Sequence, residues 1–383
     1  MRKKIKVMSV FGTRPEAIKM APLVLELQRR QEIESLVCVT AQHREMLDSV
    51  LDFFKITPEY DLNIMEHGQN LVDITTRAMD GLYRVYAEAK PDLVLVHGDT
   101  SSTFAGALAA FYAQIPVGHV EAGLRTYDRY SPYPEEMNRC LVARLAEYHF
   151  APTAQNAENL RREGVTKGVF VTGNTVIDAM AYTVGGEREF SNPLLRQIDF
   201  AGRRVIAMTC HRRENYGAPM DSIFAAVRDI VQNFEDVEVV YPVHPSPVVQ
   251  EAAERNLKGV PRVHLIEPLD AMEMHRLIDK SYMVMTDSGG LQEEAPALGK
   301  PVLVLRKETE RPEAVMAGTV ELAGVERGRI FKLASELLTD SEKYRRMARA
   351  VNPYGDGRAC HRIADAILYS FGFSRRKPED FAV

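Results

Sequence analysis

The sequence predicts an α/β protein made of two Rossmann-like, doubly wound domains facing a cleft. Three observations carry that expectation. Short β-branched apolar runs alternate with longer amphipathic segments from one end to the other. The runs are near-continuous rather than alternating, as parallel strands covered on both faces require. The pattern also runs twice over 383 residues, more than one hydrophobic core usually organises.

The strand candidates of the first half are IKVMSVF, SLVCVT, DLVLVHG, IPVGHVE and VFVTG. Those of the second half are RVIAMTC, VEVVYPV, RVHLIE, YMVMTD and PVLVLR. Segments such as EAIKMAPLVLELQRR and MDSIFAAVRDIVQNF carry the helical period between them. After VFVTG comes a helical piece and a looser stretch, GGEREFSNPLLRQIDFAGRR, before a fresh strand at Val205. The expected division is therefore residues 1–172 and 173–363, with an amphipathic tail, 364–383, that can pack back on either domain. Ligands of doubly wound folds bind at the carboxyl ends of the strands, so the informative residues are those just after each run.

Composition narrows the class. The chain is 45% hydrophobic and 26% charged with a net charge of −5, an ordinary globular balance that argues against nucleic acid or an anionic membrane as partner. No stretch approaches a membrane-spanning length of apolar residues. Cys38, Cys140, Cys210 and Cys360 are scattered and form no CxxC pair, which points to a reducing, cytoplasmic setting and no metal site of familiar spacing. The first strand ends in GTRPEAIK, which matches neither the dinucleotide nor the P-loop fingerprint, so no cofactor is expected.

In the first half, Gly12 is read as permitting a tight turn and Pro15 as suiting a first helical position. Arg14 and Lys19 near that helix start make an anion site, or else are solvated charges. DLVLV ends in HGDTSST, where Asp99 is either a functional acid or a helix cap, with Ser101 and Thr103 as alternative caps. PVGHV places Glu121 at its end, and YSPYPEEMNR opens a helix with Glu135 and Glu136 in its first turn. Three carboxylates, Asp99, Glu121 and Glu135, at one end of one sheet beside a basic loop suit proton transfer next to a phosphate ester.

The second half supplies the complement. RVIAMTC runs into HRRENYG, grouping His211, Arg212 and Arg213, and YPV runs into His244. YMVMTD is followed by Ser288, Gly289 and Gly290, a permissive turn whose first helical amides suit a diphosphate. Gln292, Glu293 and Glu294 are then placed to meet ribose hydroxyls, and Arg311 and Glu313 follow PVLVLR. The residues alone point to a two-domain α/β enzyme acting on a nucleotide-diphosphate compound, with the nucleotide in the second domain and a sugar beside the acids.

At these residues the chain resembles the non-hydrolysing UDP-N-acetylglucosamine 2-epimerases. The resemblance covers essentially the whole chain through FGTRPEAIKMAPL, LVHGDTSST, PVGHVEAGLRT, YSPYPEEMNR, FVTGNTVIDA, HRREN, TDSGGLQEEAPALGKPVLVLR, TERPEAV and NPYGDG. It implies a glycosyltransferase-B type fold with the C-terminal helix 364–383 returning to the first domain, a homodimer, and reversible epimerisation of UDP-GlcNAc to UDP-ManNAc. UDP is eliminated to leave a 2-acetamidoglucal, then re-added. Acid and base roles fall among Asp99, Glu121 and Glu135, and His211 assists at the departing diphosphate. Arg14 and Lys19 stand near diphosphate and sugar, Ser288, Gly289 and Gly290 hold phosphates, Glu294 the ribose, and Arg311 retains UDP.

Some members of that family bind UDP-GlcNAc at a second, activating site. Gln42, His43, Arg212 and His244 match part of it, whereas Glu45 and Gln69 differ. Leu269 and Met274 stand where some members carry a glutamine and an aromatic near the uracil. A hydrolysing 2-epimerase releasing N-acetylmannosamine, or a 2-epimerase of a modified UDP-sugar such as a 2,3-diacetamido uronic acid, would keep the same motifs.

Overall fold

The computed structural model describes residues 4–41, 44–66, 68–184 and 189–382. The chain divides into two compact units, residues 1–179 with 354–382, and residues 180–353. Each is an α/β layer structure around one parallel sheet.

The first unit contains β1 (Ile5–Phe11), β2 (Ile33–Val39), β3 (Tyr60–Asp61), β4 (Leu93–His97), β5 (Val117–Val120), β6 (Tyr148–Ala151) and β7 (Val169–Val171). Their order is β3-β2-β1-β4-β5-β6-β7, every pairing parallel. Strand β4 is buried along its whole length because helices cover both faces. Its core brings Met8, Val10, Val94 and Val96 against Leu82 and Tyr86 of the helix Leu71–Ala89.

The second unit contains β8 (Arg204–Thr209), β9 (Val237–Pro242), β10 (Val263–Ile266), β11 (Met283–Thr286), β12 (Val302–Val304) and β13 (Val320–Leu322). Their order is β10-β9-β8-β11-β12-β13, again all parallel. Both sheets reverse direction of growth beside their first strand, between β1 and β4 and between β8 and β11. These are the points where doubly wound sheets bind ligands.

All ten expected strands are present. The sequence reading missed β3, β6 and β13, which are only two to four residues long and lie at or towards a sheet edge, too short to show a run. The helix Arg14–Arg29 also runs through Pro22, giving up one main-chain donor without ending.

The division falls inside the helix Thr175–Thr183, after Ala179 rather than after residue 172, and the chain returns to the first unit at Tyr354 rather than at 364. The reason is a set of local bonds. Asn174 N donates to Tyr354 O at 2.7 Å, and a β carbon on Gly173 would lie 3.4 Å from the Cα of Gly355. The Asp178 carboxylate accepts from the amides of Ala359 (3.1 Å) and Cys360 (2.9 Å), capping the helix Ala359–Ser370. The chain then finishes along β7. Val171 N donates to Asp380 and Phe381 N donates to Val171 O, covering the exposed edge of that sheet.

Candidate functional site

In the first unit, β1 empties into Gly12 and Thr13, and the helix Arg14–Arg29 begins with Pro15 at its second position. Gly12 is required for closeness rather than for an unusual turn. A β carbon there would lie 1.9 Å from Thr40 Oγ1 and 2.9 Å from Ser102 Oγ. Thr13 and Glu16 form a reciprocal capping box, legible in the sequence as T-x-x-E and missed there. Glu16 Oε2 accepts from the amides of Thr13 (2.8 Å) and Gly12 (3.1 Å). Its other oxygen accepts from the hydroxyls of Thr100 (2.8 Å) and Thr103 (2.9 Å). Burial raises the Glu16 pKa, and these hydrogen bonds oppose the rise. The helix start read as an anion site therefore already holds a carboxylate of its own.

Glu16 also ties the loop after β1 to the loop after β4. Thr100, not Asp99, caps the helix Ser101–Tyr112, its hydroxyl accepting from Thr103 N at 3.1 Å. Asp99 is thereby released from capping. Its Oδ2 instead accepts from Arg139 Nε and Nη2, each at 2.8 Å, while its carbonyl accepts from Asn138 at 2.8 Å. Burial raises the Asp99 pKa and Arg139 opposes it.

Glu121 follows β5 with a left-handed backbone, φ +64°, uncommon for a residue with a β carbon. One oxygen, Oε1, pairs with Lys19 Nζ and accepts from Asn174 Nδ2 at 3.1 Å. The other lies 3.9 Å from Nε2 of His97. Burial pushes its pKa up, but Lys19 and the surrounding donors outweigh burial and hold it at about 2. His97 is fully buried and lowered to about 4, so it is neutral at neutral pH.

Glu135 starts the helix Glu135–Leu145, and its buried Oε2 has no hydrogen-bond partner. Its neighbour Glu136 is fully engaged, accepting from the amides of Thr126 and Tyr127 and from Arg139, all at 3.0 Å. Of the two first-turn acids, Glu135 is the available one. Arg14 is half-buried with no partner among the described residues, and Gln42 and His43 lie outside those residues.

The second unit builds its site on Asp287. This fully buried carboxylate follows β11 but does not cap the next helix. Its Oδ2 accepts from the amides of His211 and Arg212, both at 2.8 Å, and from Asn215 Nδ2 at 3.0 Å. It thus shapes the loop after β8. The His211 and His244 rings stack with centroids 5.2 Å apart, and burial lowers the His211 pKa.

Ser288 precedes the helix Gly289–Ala297 without a side-chain cap bond, so the first-turn amides stay open to a ligand. A β carbon on Gly289 would lie 3.7 Å from Arg212 Nη2 and 4.0 Å from Arg311 Nη2, so two guanidiniums converge on that helix start. Glu293 pairs with Arg311, and Gln292 bonds Ser288 O and Thr309. Both are buried, contrary to their expected place at the ribose. Glu294 keeps some exposure, with Oε2 3.3 Å from His275 Nε2.

The two helix starts that looked alike in sequence thus differ. The first is filled by Glu16; the second is open and flanked by arginines.

The family model described as UDP-N-acetylglucosamine 2-epimerase matches residues 25–368. A Bacillus subtilis UDP-N-acetylglucosamine 2-epimerase is 56% identical over 380 residues, covering 99% of both chains. The Escherichia coli K12 protein of the same description is 53% identical over 369 residues, 95% of this chain and 98% of that one. Among solved structures, a UDP-GlcNAc 2-epimerase from Neisseria meningitidis bound to UDP-GlcNAc superposes with a TM-score of 0.82. It is 49% identical and covers 95% of this chain and all of that one.

Proposed function

The chain belongs to the UDP-N-acetylglucosamine 2-epimerase family, an isomerase family, and we propose that it works without hydrolysis, by elimination and re-addition of UDP. UDP-GlcNAc loses its C2 proton and its UDP together. The C2–H electron pair forms the C1=C2 bond of a 2-acetamidoglucal, and the C1–O pair leaves with the diphosphate. A proton returns to C2 on the opposite face, and UDP adds back to C1 to give UDP-ManNAc.

The observation that carries this reading is the acid set at the end of the first sheet. Glu121 is held ionised by Lys19, whereas burial raises Asp99, so two carboxylates after neighbouring strands are pushed in opposite directions. That separation is what distinct proton-accepting and proton-donating roles require. Glu135, with its unpartnered buried oxygen, is the third candidate. We assign the diphosphate to the open helix start at Ser288, Gly289 and Gly290, with Arg212 and Arg311 beside it and His211 at the leaving oxygen. Glu294 is assigned the ribose, and Arg14 and Lys19 the sugar side of the diphosphate.

The proposal includes a cytoplasmic homodimer. Val72, Tyr83, Phe111 and Tyr112 are exposed on the helices Leu71–Ala89 and Ser101–Tyr112, which supports a covered apolar face. No described helix is long and apolar enough to cross a membrane.

The test is incubation with UDP-GlcNAc in D2O, followed by NMR. UDP-ManNAc with deuterium at C2, formed without added cofactor, is the expected result. Free N-acetylmannosamine as the main product establishes the hydrolysing reaction instead, and absence of C2 exchange overturns the elimination.

A further inference from the structure

One ion pair of the first unit joins two of the roles just assigned. Lys19 stands in the second turn of its helix, and its ammonium rests on Glu121 Oε1, with the two side chains 24% and 11% exposed. The groups facing that carboxylate are few. Asn174 Nδ2 donates to the same oxygen, the imidazole of His97 lies near the other, and Asp99 is close enough to feel its charge. Gly98 touches it as well, since a β carbon there would be 3.4 Å from Glu121 Oε2. Lys19 is therefore the only cation bonded to Glu121 among the described residues.

A carboxylate carrying an ammonium is a poor proton acceptor, because accepting the proton discards the ion pair. Yet the same side chain, without that ammonium, would be a buried carboxylate with one amide donor, a neutral histidine and another acid for neighbours. Such surroundings favour the protonated form. Burial is the largest influence on Glu121 and acts upward; Lys19 is the largest influence acting downward. His97, neutral above about pH 4, supplies no replacement charge.

We propose that Lys19 is a ligand-gated counter-ion, bound to Glu121 while no UDP-sugar is present and drawn to the diphosphate when one binds, which turns Glu121 into a proton carrier only in the complex. The proposal rests on the reading of a UDP-sugar as substrate. With Lys19 on a phosphate oxygen, the Glu121 carboxylate exchanges one proton with C2 and becomes a neutral acid. The C2–H pair becomes the glucal double bond, and the C1–O pair leaves on the phosphate that Lys19 now faces. The ammonium moves towards the charge that develops on the leaving group. The uncharged acid left behind suits the burial of Glu121 beside Asp99. When the UDP-sugar departs, Lys19 returns to Glu121 and the carboxyl gives its proton to solvent, so the empty enzyme keeps the ionised pair.

The test is calorimetric titration with UDP near pH 6.5 in two buffers of different ionisation enthalpy, which reads protons taken up per site. Wild type is expected to take up more protons than Glu121→Gln, by up to one per site. In Lys19→Met the uptake is expected to fall to the Glu121→Gln value, because Glu121 has already lost its cation. The acid limb of kcat/KM in Lys19→Met moves to higher pH, towards that of kcat in wild type. Equal uptake in wild type and Glu121→Gln, both binding UDP, overturns the gating while leaving the epimerase reading intact. If Glu121→Gln does not fold, uptake in Lys19→Met equal to that of wild type overturns it independently. Failure of wild type to bind UDP overturns the substrate reading and the gating with it.

Discussion

Asp287 and His211 are joined through the main chain. The buried Asp287 carboxylate accepts the His211 amide at 2.8 Å, and its second oxygen lies 3.4 Å from His211 Nδ1. An aspartate just before a helix reads as a cap, but this one spends its acceptors on the loop of another strand. Replacing it with alanine strands two amides and the Asn215 side chain. The expected cost is about 3 kcal/mol or more in urea unfolding, since hydrogen bonds to a charged group are worth about 1.5–3 kcal/mol each. Asp287→Asn keeps one acceptor oxygen and is expected to lose less stability while still losing turnover, because the His211 loop shifts.

Gly289 separates binding from folding, whereas Arg311, paired with the buried Glu293, serves both. A β carbon at Gly289 meets nothing closer than 3.7 Å, so Gly289→Ala is expected to leave the thermal midpoint unchanged. The added methyl stands where the diphosphate is assigned, so UDP affinity falls. Arg311→Ala removes a charged donor, and a loss of about 10- to 150-fold in UDP affinity is expected, as titration calorimetry would read.

Arg139 holds Asp99 against its burial. Removing the guanidinium in Arg139→Gln takes away the main opposition to burial, so the Asp99 pKa rises further. Where turnover needs the ionised aspartate, the acid limb of the kcat/KM profile shifts to higher pH. An unshifted limb, with activity retained, removes Asp99 from proton transfer.

His97, His119 and His149 make the first unit acid-sensitive. All three are buried, and burial lowers their pKa values to about 4, about 3 and about 4. As pH falls below about 6.5, the unfolded chain binds protons that the folded one refuses, so stability drops with pH. Each histidine contributes about 1.4 kcal/mol per pH unit, or about 4 kcal/mol per unit together between roughly pH 6 and pH 4. Glu121, held at about 2, acts in the same direction below about pH 4.5. Glu16, Asp99 and Asp178, raised by burial, act the other way. Urea midpoints at pH 7, 5.5 and 4.5 read the net slope, and His149→Gln is expected to reduce it by about 1.4 kcal/mol per pH unit.

Gly12→Ala puts a methyl against the Thr40 hydroxyl. Overpacking of this kind costs about 1–3 kcal/mol. Thr40→Ala is expected to rescue part of that loss, a non-additivity that the double-variant cycle measures. Equal losses with and without the Thr40 hydroxyl would assign the requirement for glycine to the turn instead.

The layer order of the protein was legible in its residues. Continuous apolar runs, repeated twice, dictate two parallel sheets because only strands covered on both faces can be apolar throughout. The same logic placed Asp99, Glu121, His211 and the Ser288 turn at strand ends, where doubly wound sheets gather their chemistry, and Glu135 in the first turn of a helix. Tertiary structure alone decided what each polar group holds. Asp99 and Asp287 each precede a helix, yet neither caps it, because Arg139 and the amides of His211 and Arg212 lie within reach only after the sheets assemble. Two helix starts with glycine and nearby cations looked equivalent. Folding fills the first with Glu16 and gives Lys19 to Glu121, while it leaves the second open between Arg212 and Arg311. Periodicity reports which side of an element is buried, and that is a local property. Hydrogen-bond partners separated by dozens of residues are not local, and the acid–base character of this site resides in those partners.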